Sequence, residues 1–366
     1  MKRSTVKESF DNLFMTTHRN HNTIESMEGL RAFAAFMVFL VHYAAQALAW
    51  VPTKTFEAEL IFYIRYFGAT GVDFFFILSG YLIYGMLINK ELIFSSYIKR
   101  RLQRIYPTFL AVMLVYLILS FAFPNESKLP GGTIENAIYI IQCLLLLPGV
   151  FDLKPIMSVA WTLSYEMLFY LLVPIVITAL RIKSWPESKR ILFLVIIAVT
   201  GFYISLDYPT HVRMLMFVSG MLIFELRRNT SFQIRFNNPL LILILTFSLM
   251  FLVRYHFTSN YTVASVVIMF FGYGTVCLLS FNKNNNLGNL FSHYLMRWFG
   301  NMSYSYYLIH GLTLKVLFLL LSVLVPADKD STLVFYFAFI PFFIITIVVS
   351  VFLFILIERP FSLAQK

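Results

Sequence analysis

The first long apolar run of this 366-residue chain contains two ionisable side chains, Arg31 and His42. On an α-helix, residues eleven positions apart lie about 16 Å apart along the axis and only about 20° apart around it. Ionisable groups at membrane depth are costly and by default indicate function. Histidine suits proton transfer near neutral pH, and an arginine at one end of the same face could hold an anion. The alternative is that Arg31 reaches the lipid headgroups and His42 bonds a neighbouring helix.

A second basic cluster, Lys99, Arg100, Arg101 and Arg104, precedes another apolar run. Arg101 and Arg104 are i, i+3 neighbours on a helix, so both guanidiniums can reach one polyanion. A planar guanidinium fork matches the oxygens of a phosphate. Lys99 and Arg100 need no explanation beyond the basic bias of segments that flank membrane spans. Together with Arg31, the cluster predicts an anion site at one mouth of the protein.

The composition indicates that these residues sit in a membrane protein. Apolar residues make up 59% of the chain and charged residues 13%, with a mean hydropathy of +0.76. Soluble domains average about 45–50% apolar and about 25% charged residues. The net charge of +11 comes from basic segments beside apolar runs, which favours lipid headgroups over nucleic acid as the partner. Cys143 and Cys277 form no ligand-like cluster, so we predict no metal site and no tightly bound cofactor.

The apolar runs predict an all-α, polytopic integral membrane protein with about ten transmembrane helices around a central cavity. About 20 apolar residues cross the hydrocarbon core of a bilayer. The predicted spans are residues 29–50, 66–89, 106–123, 159–180, 191–206, 212–226, 239–256, 262–281, 304–325 and 333–357.

The distribution of basic residues predicts the orientation. If both termini are cytoplasmic, the basic segments fall inside and the sparsely basic loops fall outside, as the positive-inside rule requires. The short apolar piece 137–150 fits this pattern only if it does not cross, so we expect a re-entrant or interfacial helix within an outer loop, 124–158. We therefore expect an integral membrane protein with both termini cytoplasmic. The predicted parts are a flexible cytoplasmic leader 1–26, one transmembrane domain 27–360 and a cytoplasmic tail 361–366.

Several different short motifs follow one another along the chain. They are residues 28–31 with His42, 71–81, 101–107, 161–170, Arg213 with 217–220, 300–310 and 358–360. In this order they resemble the acyltransferase 3 family of membrane O-acyltransferases, whose first motif is an acidic residue, Gly, Leu and Arg, then ten residues and His. Glu28 replaces the commoner Asp, and Tyr165 stands where the family often has Val or Ile. Neither change removes a proposed chemical group. The resemblance is closest to bacterial members, which implies the bacterial cytoplasmic (inner) membrane as the location.

The resemblance implies transfer of an acyl group from a cytoplasmic coenzyme A thioester, with acetyl-CoA expected as donor. The implied acceptor is a sugar hydroxyl of a cell-surface or secreted polysaccharide, or of its lipid-linked precursor. His42 would act as general base or as a transient acyl carrier. The other implied roles are catalysis by Glu166, coenzyme binding by Arg31, Arg101 and Arg104, and substrate binding by Asp73, Ser79, Trp161, Ser164 and His310. In the predicted topology, Trp161, Ser164 and Glu166 begin a span on the outer side, near an entering acceptor.

Simpler roles compete with several of these assignments. Asp73 and Ser79 could join helix to helix, Trp161 could be an interfacial aromatic residue, and His310 could be structural or a coenzyme contact. A different function, a transporter or flippase for a lipid-linked sugar, would also use cationic and aromatic residues. It gives no reason for an Arg–His face beside an Arg-x-x-Arg pair, and inverted repeats are not visible. A third alternative is a non-catalytic partner of polysaccharide-assembly proteins.

Overall fold

The computed structural model describes residues 13–14, 24–91, 93–229, 237–256, 261–282, 284–327 and 331–363. Within these ranges the fold is helical, and no β-strand is formed. The α-helices are α1 Glu25–Ala47, α2 Phe56–Gly68, α3 Gly71–Asn89, α4 Phe94–Ala122, α5 Thr133–Leu144, α6 Trp161–Ala179, α7 Glu187–Ser205, α8 Leu215–Arg228, α9 Pro239–His256, α10 Tyr261–Ser280, α11 Asn286–Ser292, α12 Tyr294–Asn301, α13 Ser303–Leu324, α14 Leu333–Phe337 and α15 Phe339–Leu353. A π-helix, Phe354–Ser362, continues α15.

The predicted polytopic membrane fold is confirmed. Across the described ranges, nine helical segments are long and apolar enough to span a bilayer. The sixth predicted span, 212–226, is instead a 3-10 helix Pro209–Met214 followed by the 14-residue α8. At about 21 Å, α8 is shorter than the roughly 30 Å hydrocarbon core. The segment is apolar, as its hydropathy indicated, but hydropathy does not show where its α-helix begins.

Helix α8 compensates for its length by packing closely against α3. A Cβ atom added to Gly80 would collide with the carbonyl of Phe217, and one added to Gly220 would collide with the carbonyl of Ile77. Small residues at such a crossing let two backbones approach each other closely. In lipid, where no hydrophobic effect drives helices together, this close packing is what holds them in contact. Helix α3, which carries Asp73 and Ser79, is thereby held at the centre of the bundle.

The segment predicted not to cross contains α5, Thr133–Leu144, which is 12 residues long. At about 18 Å it is too short to span the hydrocarbon core. Ile134, Ile138 and Ile141 are exposed along one side of α5, while Cys143 is buried. An apolar stripe of this kind matches the predicted interfacial or re-entrant helix. The hydroxyl of Tyr106 donates to the carbonyl of Leu144 (3.0 Å) and ties the helix end to α4.

Residues 51–65, which connect the first two predicted spans, are largely helical. Helix α2 occupies residues 56–68, and the side chain of Thr55 caps its start by accepting from the amide of Ala58 (3.3 Å). Glu57, Glu59 and Arg65 lower the local hydropathy, which is why the sequence suggested a loop. After a break at Ala69 and Thr70, the chain continues directly into α3.

Short stretches of the predicted leader and tail lie within the described residues, and these stretches are packed. Phe14 is buried, with ring centroids 6.3 Å from Trp298 and 5.8 Å from Phe354. At the other end, the hydroxyl of Ser362 lies 3.1 Å from that of Thr108 on α4. Apolar burial and a buried hydrogen bond therefore fix these short stretches. The rest of the predicted leader, 1–12 and 15–23, and residues 364–366 lie outside the described residues.

Candidate active site

Helices α1 and α13 bring two histidines together. The ring centroids of His42 and His310 are 5.1 Å apart, with an interplanar angle of 66°. His310 is fully buried, and its Nδ1 lies 2.9 Å from the carbonyl of Tyr306. A carbonyl only accepts, so Nδ1 carries the hydrogen and Nε2 has the lone pair. This Nε2 is buried and contacts no hydrogen-bond donor among the described residues. An unused acceptor therefore lies close to His42.

The surroundings of His310 hold its ring in one orientation. The Tyr306 ring stacks on it at 5.3 Å and only 2° from parallel. The hydroxyl of Tyr307, one residue further on, lies 2.8 Å from that of Thr162 and donates to the carbonyl of Val159 (3.2 Å). These contacts connect α13 to the start of α6. Preorganisation of this kind is what a group that must present one nitrogen to a neighbour requires.

The three predicted coenzyme-binding arginines, Arg31, Arg101 and Arg104, converge on Tyr170. We call these three residues the arginine cluster. The guanidinium of Arg101 lies 5.6 Å from the ring centroids of both Tyr97 and Tyr170. Arg31 and Arg104 both interact electrostatically with Tyr170. These three side chains, from α1 and α4, therefore share one region, and their binding of coenzyme A stays a prediction.

Glu166 belongs to this cluster, whereas we expected it beside Trp161 and the acceptor. Its Oε1 accepts from the hydroxyl of Ser79 (3.0 Å) and from the hydroxyl of Tyr170. It also interacts electrostatically with Arg31. Five residues of helix α6 place Trp161 about 7.5 Å further along the axis. Glu166 and Ser79 therefore line the arginine side of the site.

Arg104 also has a structural partner. Its Nη1 lies 2.6 Å from Oε1 of Glu358, whose side chain is 0% exposed, while that of Arg104 is 30% exposed. The other oxygen of Glu358 accepts from the amide (3.0 Å) and the hydroxyl (2.6 Å) of Ser305. The guanidinium also lies over the ring of Tyr304, 5.5 Å from its centroid. Arg104 thus joins α4 to the π-helix and to α13, and its exposed edge still faces outward from that pair.

The remaining predicted substrate-binding residues lie elsewhere. Trp161 packs edge-on against Tyr165, with ring centroids 5.5 Å apart, and remains partly exposed. The buried hydroxyl of Ser164 donates to the carbonyl of Pro148, at the end of the loop that contains α5. This bond anchors the loop on α6. Substrate binding by Trp161 and Ser164 stays a prediction.

Asp73 is fully buried beside Arg213. Its Oδ2 lies 3.3 Å from Nη1 of Arg213, and the same nitrogen donates to the carbonyl of Ala69 (2.9 Å). Burying a carboxylate is costly unless a cation compensates it. This pairing of α3 with the 3-10 helix that precedes α8 is the helix-to-helix role considered for Asp73, and its binding of substrate stays a prediction.

The segment 123–160, which we call the cover loop, closes the other end of the site. It starts at the end of α4 about 27 Å from Arg104. The ammonium of Lys128 donates to the carbonyls of Pro155 (3.1 Å) and Ile156 (3.2 Å) and lies within electrostatic range of His42. Burial and the nearby Lys315 ammonium lower the pKa of Lys128.

Lys315 itself pairs with a carboxylate of the cover loop. Its Nζ lies 2.7 Å from Oε2 of Glu126, and both side chains are exposed. This hydrogen bond and the charge of Lys315 lower the pKa of Glu126. The pair joins α13 to the cover loop at the solvent-exposed edge of the site.

Sequence reasoning missed three residues of this arrangement. Tyr170 lies four residues after Glu166, on the same helix face, so its spacing could have identified it. Glu358 was visible as part of a terminal motif, but nothing local linked it to Arg104. Lys128 carries no local signal, because its proximity to His42 arises only from the path of the cover loop. Within the part of the chain that the structure describes, no group of three or more His, Cys, Asp or Glu could hold a metal ion.

Comparison with known proteins extends these observations. A family profile described as an acyltransferase domain matches residues 24–359. An uncharacterized protein of Haemophilus influenzae is 34% identical over 37% of this chain and 58% of its own length. The O-acetyltransferase OatA of Staphylococcus aureus is 31% identical over 39% of this chain and 26% of its own length. The peptidoglycan O-acetyltransferase OatA of Listeria monocytogenes is 26% identical over 66% of this chain and 44% of its own length. No solved structure matches the chain significantly.

Proposed function

The chain belongs to the acyltransferase 3 family, and we propose that it is a membrane-bound O-acetyltransferase. The proposed donor is cytoplasmic acetyl-CoA, and the proposed acceptor is a sugar hydroxyl of a cell-surface or secreted polysaccharide or of its lipid-linked precursor. The names of the two OatA relatives support acetyl as the group and a glycan as the acceptor. The observation that carries the proposal is a histidine pair that lies between a cationic, tyrosine-lined cluster and the cover loop.

The arginine cluster is the proposed site for the phosphates of the donor. The guanidinium of Arg101 lies between two tyrosine rings, and its buried Nε has no partner among the described residues. Arg31 lies on the same helix as His42, about 16 Å away along the axis. A coenzyme anchored at the arginines would extend its pantetheine arm along α1 towards His42. In this proposal the arginine side is cytoplasmic, as are both termini.

His42 is the proposed general base. Its free ring nitrogen takes the proton of the acceptor hydroxyl while the hydroxyl oxygen bonds to the thioester carbonyl carbon. The tetrahedral oxyanion collapses, the carbon–sulfur bond breaks, and the departing sulfur takes the proton from the imidazolium. General-base catalysis of this type contributes about 10²- to 10⁴-fold to a rate. In this proposal the other nitrogen of His42 comes to donate to Nε2 of His310, which has no partner among the described residues, and His310 thereby positions the base during the reaction.

A two-sided liposome assay tests the proposal. Purified protein would be reconstituted with labelled acetyl-CoA on the arginine side and an oligosaccharide acceptor on the other. Label on the acceptor supports the enzyme, whereas movement of a lipid-linked acceptor without transfer of label supports the flippase. Retention of full acylation by His42→Ala, at normal protein level, would exclude the proposed base. Label trapped on His42 in the absence of acceptor would instead identify it as an acyl carrier.

A further inference from the structure

The cover loop places one cation, Lys128, within electrostatic range of His42, at the end of the site away from the arginine cluster. Lys128 is an exposed residue, and two of the hydrogens of its ammonium point at the carbonyls of Pro155 and Ile156. An ammonium has three donors, so one N–H remains for a ligand. The charge lies within electrostatic range of His42. A molecule that binds beside His42 from this end of the site would therefore be attracted or repelled by the charge of Lys128.

The neighbouring cations have partners, and Lys128 differs from them in this respect. Lys315 pairs with Glu126 at 2.7 Å, and Arg213 pairs with Asp73 at 3.3 Å. Among the described residues, no carboxylate forms an ion pair with Lys128. Its two carbonyl contacts fix the position of the ammonium without neutralising its charge. A fixed positive charge without a counter-ion, within electrostatic range of His42, is suited to hold an anion.

We propose that Lys128 forms an anion subsite for the acceptor, so that the enzyme prefers a sugar with a carboxylate or phosphate near the accepting hydroxyl. This inference rests on the proposed function. The donor phosphates are an unsuitable occupant, because the arginine cluster lies at the far end of α4, about 27 Å along the helix axis from the start of the cover loop. A charge-assisted hydrogen bond of the kind proposed favours a bound anion by about 10- to 100-fold.

The experiment compares matched acceptors in the reconstituted system. The acceptors are an oligosaccharide with a uronic acid, its neutral counterpart, and a lipid-linked sugar phosphate, each with labelled acetyl-CoA. Wild type should give a kcat/KM at least about 10-fold higher for an anionic acceptor than for the neutral one. Preference for the uronic acid identifies a carboxylate as the natural ligand, and preference for the lipid-linked sugar identifies a phosphate.

Two variants and one control assign the preference to Lys128. In Lys128→Gln, which retains a donor for one carbonyl but no charge, the ratio of anionic to neutral kcat/KM should fall about 10-fold or more. Lys128→Arg should restore most of the ratio, because it keeps the charge. Lys154→Gln removes another exposed lysine of the cover loop and should keep the wild-type ratio. Thermal unfolding of each variant shows that it is folded.

Several results would overturn the subsite. Wild type could acetylate neutral and anionic acceptors equally, or Lys128→Gln could lower both rates by the same factor, as a purely structural loop contact would. Equal ratios in Lys128→Gln and Lys154→Gln would also exclude it. In all three cases transfer of label continues, so the proposed O-acetyltransferase function stands. Absence of label on every acceptor with folded wild-type protein would instead refute the function itself.

Discussion

The two ring nitrogens of His310 have different tasks, and amide substitutions can separate them. Nδ1 binds the carbonyl of Tyr306, and Nε2 is the unused acceptor near His42. The amide of asparagine lies near the position of Nδ1, whereas the longer glutamine side chain places its amide near Nε2. His310→Asn should therefore keep the Tyr306 bond and lose the acceptor, and His310→Gln should keep an oxygen acceptor for His42.

The expected magnitude follows from the charge that His42 gains in the transition state. A hydrogen bond to a charged group contributes about 1.5–3 kcal/mol, which corresponds to about 10- to 150-fold in rate. His310→Asn should lower kcat by this factor with little change in the KM for acetyl-CoA, because the arginine cluster is untouched. His310→Gln should recover part of the loss. His42→Ala should cost about 10²- to 10⁴-fold.

Transfer of label from acetyl-CoA to an oligosaccharide measures these rates, and thermal unfolding verifies the fold of each variant. Residues that act as one unit are not additive, so His42→Ala combined with His310→Asn should be no slower than His42→Ala alone. Multiplicative losses in the double variant would show that His310 acts independently of His42. Equal activities of the Asn and Gln variants would refute the assigned acceptor role of Nε2.

Other parts of the site give sharper or weaker responses. Glu358→Gln leaves Arg104 without its counter-charge, so we expect the free energy of unfolding to fall by about 3 kcal/mol, visible as a lower thermal unfolding midpoint. An unchanged midpoint would contradict the structural role of the pair. Arg101→Lys loses the planar guanidinium and its contacts with two aromatic rings, which should raise the KM for acetyl-CoA about 10-fold with kcat retained. Arg100→Lys, at an exposed neighbouring position, serves as the control, and equal effects of the two substitutions on the KM would argue against a specific site. Because burial and a nearby ammonium lower the pKa of Lys128, its charge should be lost at a lower pH than that of an ordinary lysine. The preference for anionic acceptors should therefore be full below that pKa and fall as the pH rises through it, and a ratio independent of pH would count against the subsite.

Local periodicity predicted the parts of the site that lie on single helices. Arg31 and His42 lie on α1, and helix geometry alone gives their common face and their separation. Arg101 and Arg104 likewise share a face of α4, and the structure confirms that both approach the region of Arg31. Periodicity succeeds here because the relation between the residues depends only on the helix that carries them.

Pairings between distant segments could not be predicted in this way. Arg104 and Glu358 are 254 positions apart, and their contact depends on how the π-helix packs beside α4. Glu166 was expected near Trp161 because both start the same helix, yet the rotation of α6 directs its carboxylate to Ser79 on α3. A buried charge must find a partner, but a sequence without an alignment does not identify which of the remote candidates it is.

Under the proposed function, the charges around Tyr170 also explain how the enzyme would release coenzyme A. Three guanidiniums converge there, and Glu166 and Glu358 offset part of their charge. An uncompensated cluster would bind the phosphates of coenzyme A as tightly after transfer as before it, and binding that is equal in all states does not raise kcat. With two carboxylates present, the attraction is moderated at the phosphate end. Discrimination between acetyl-CoA and coenzyme A would then occur at the histidine pair, about 16 Å along α1 from Arg31. Only the thioester would be recognised there.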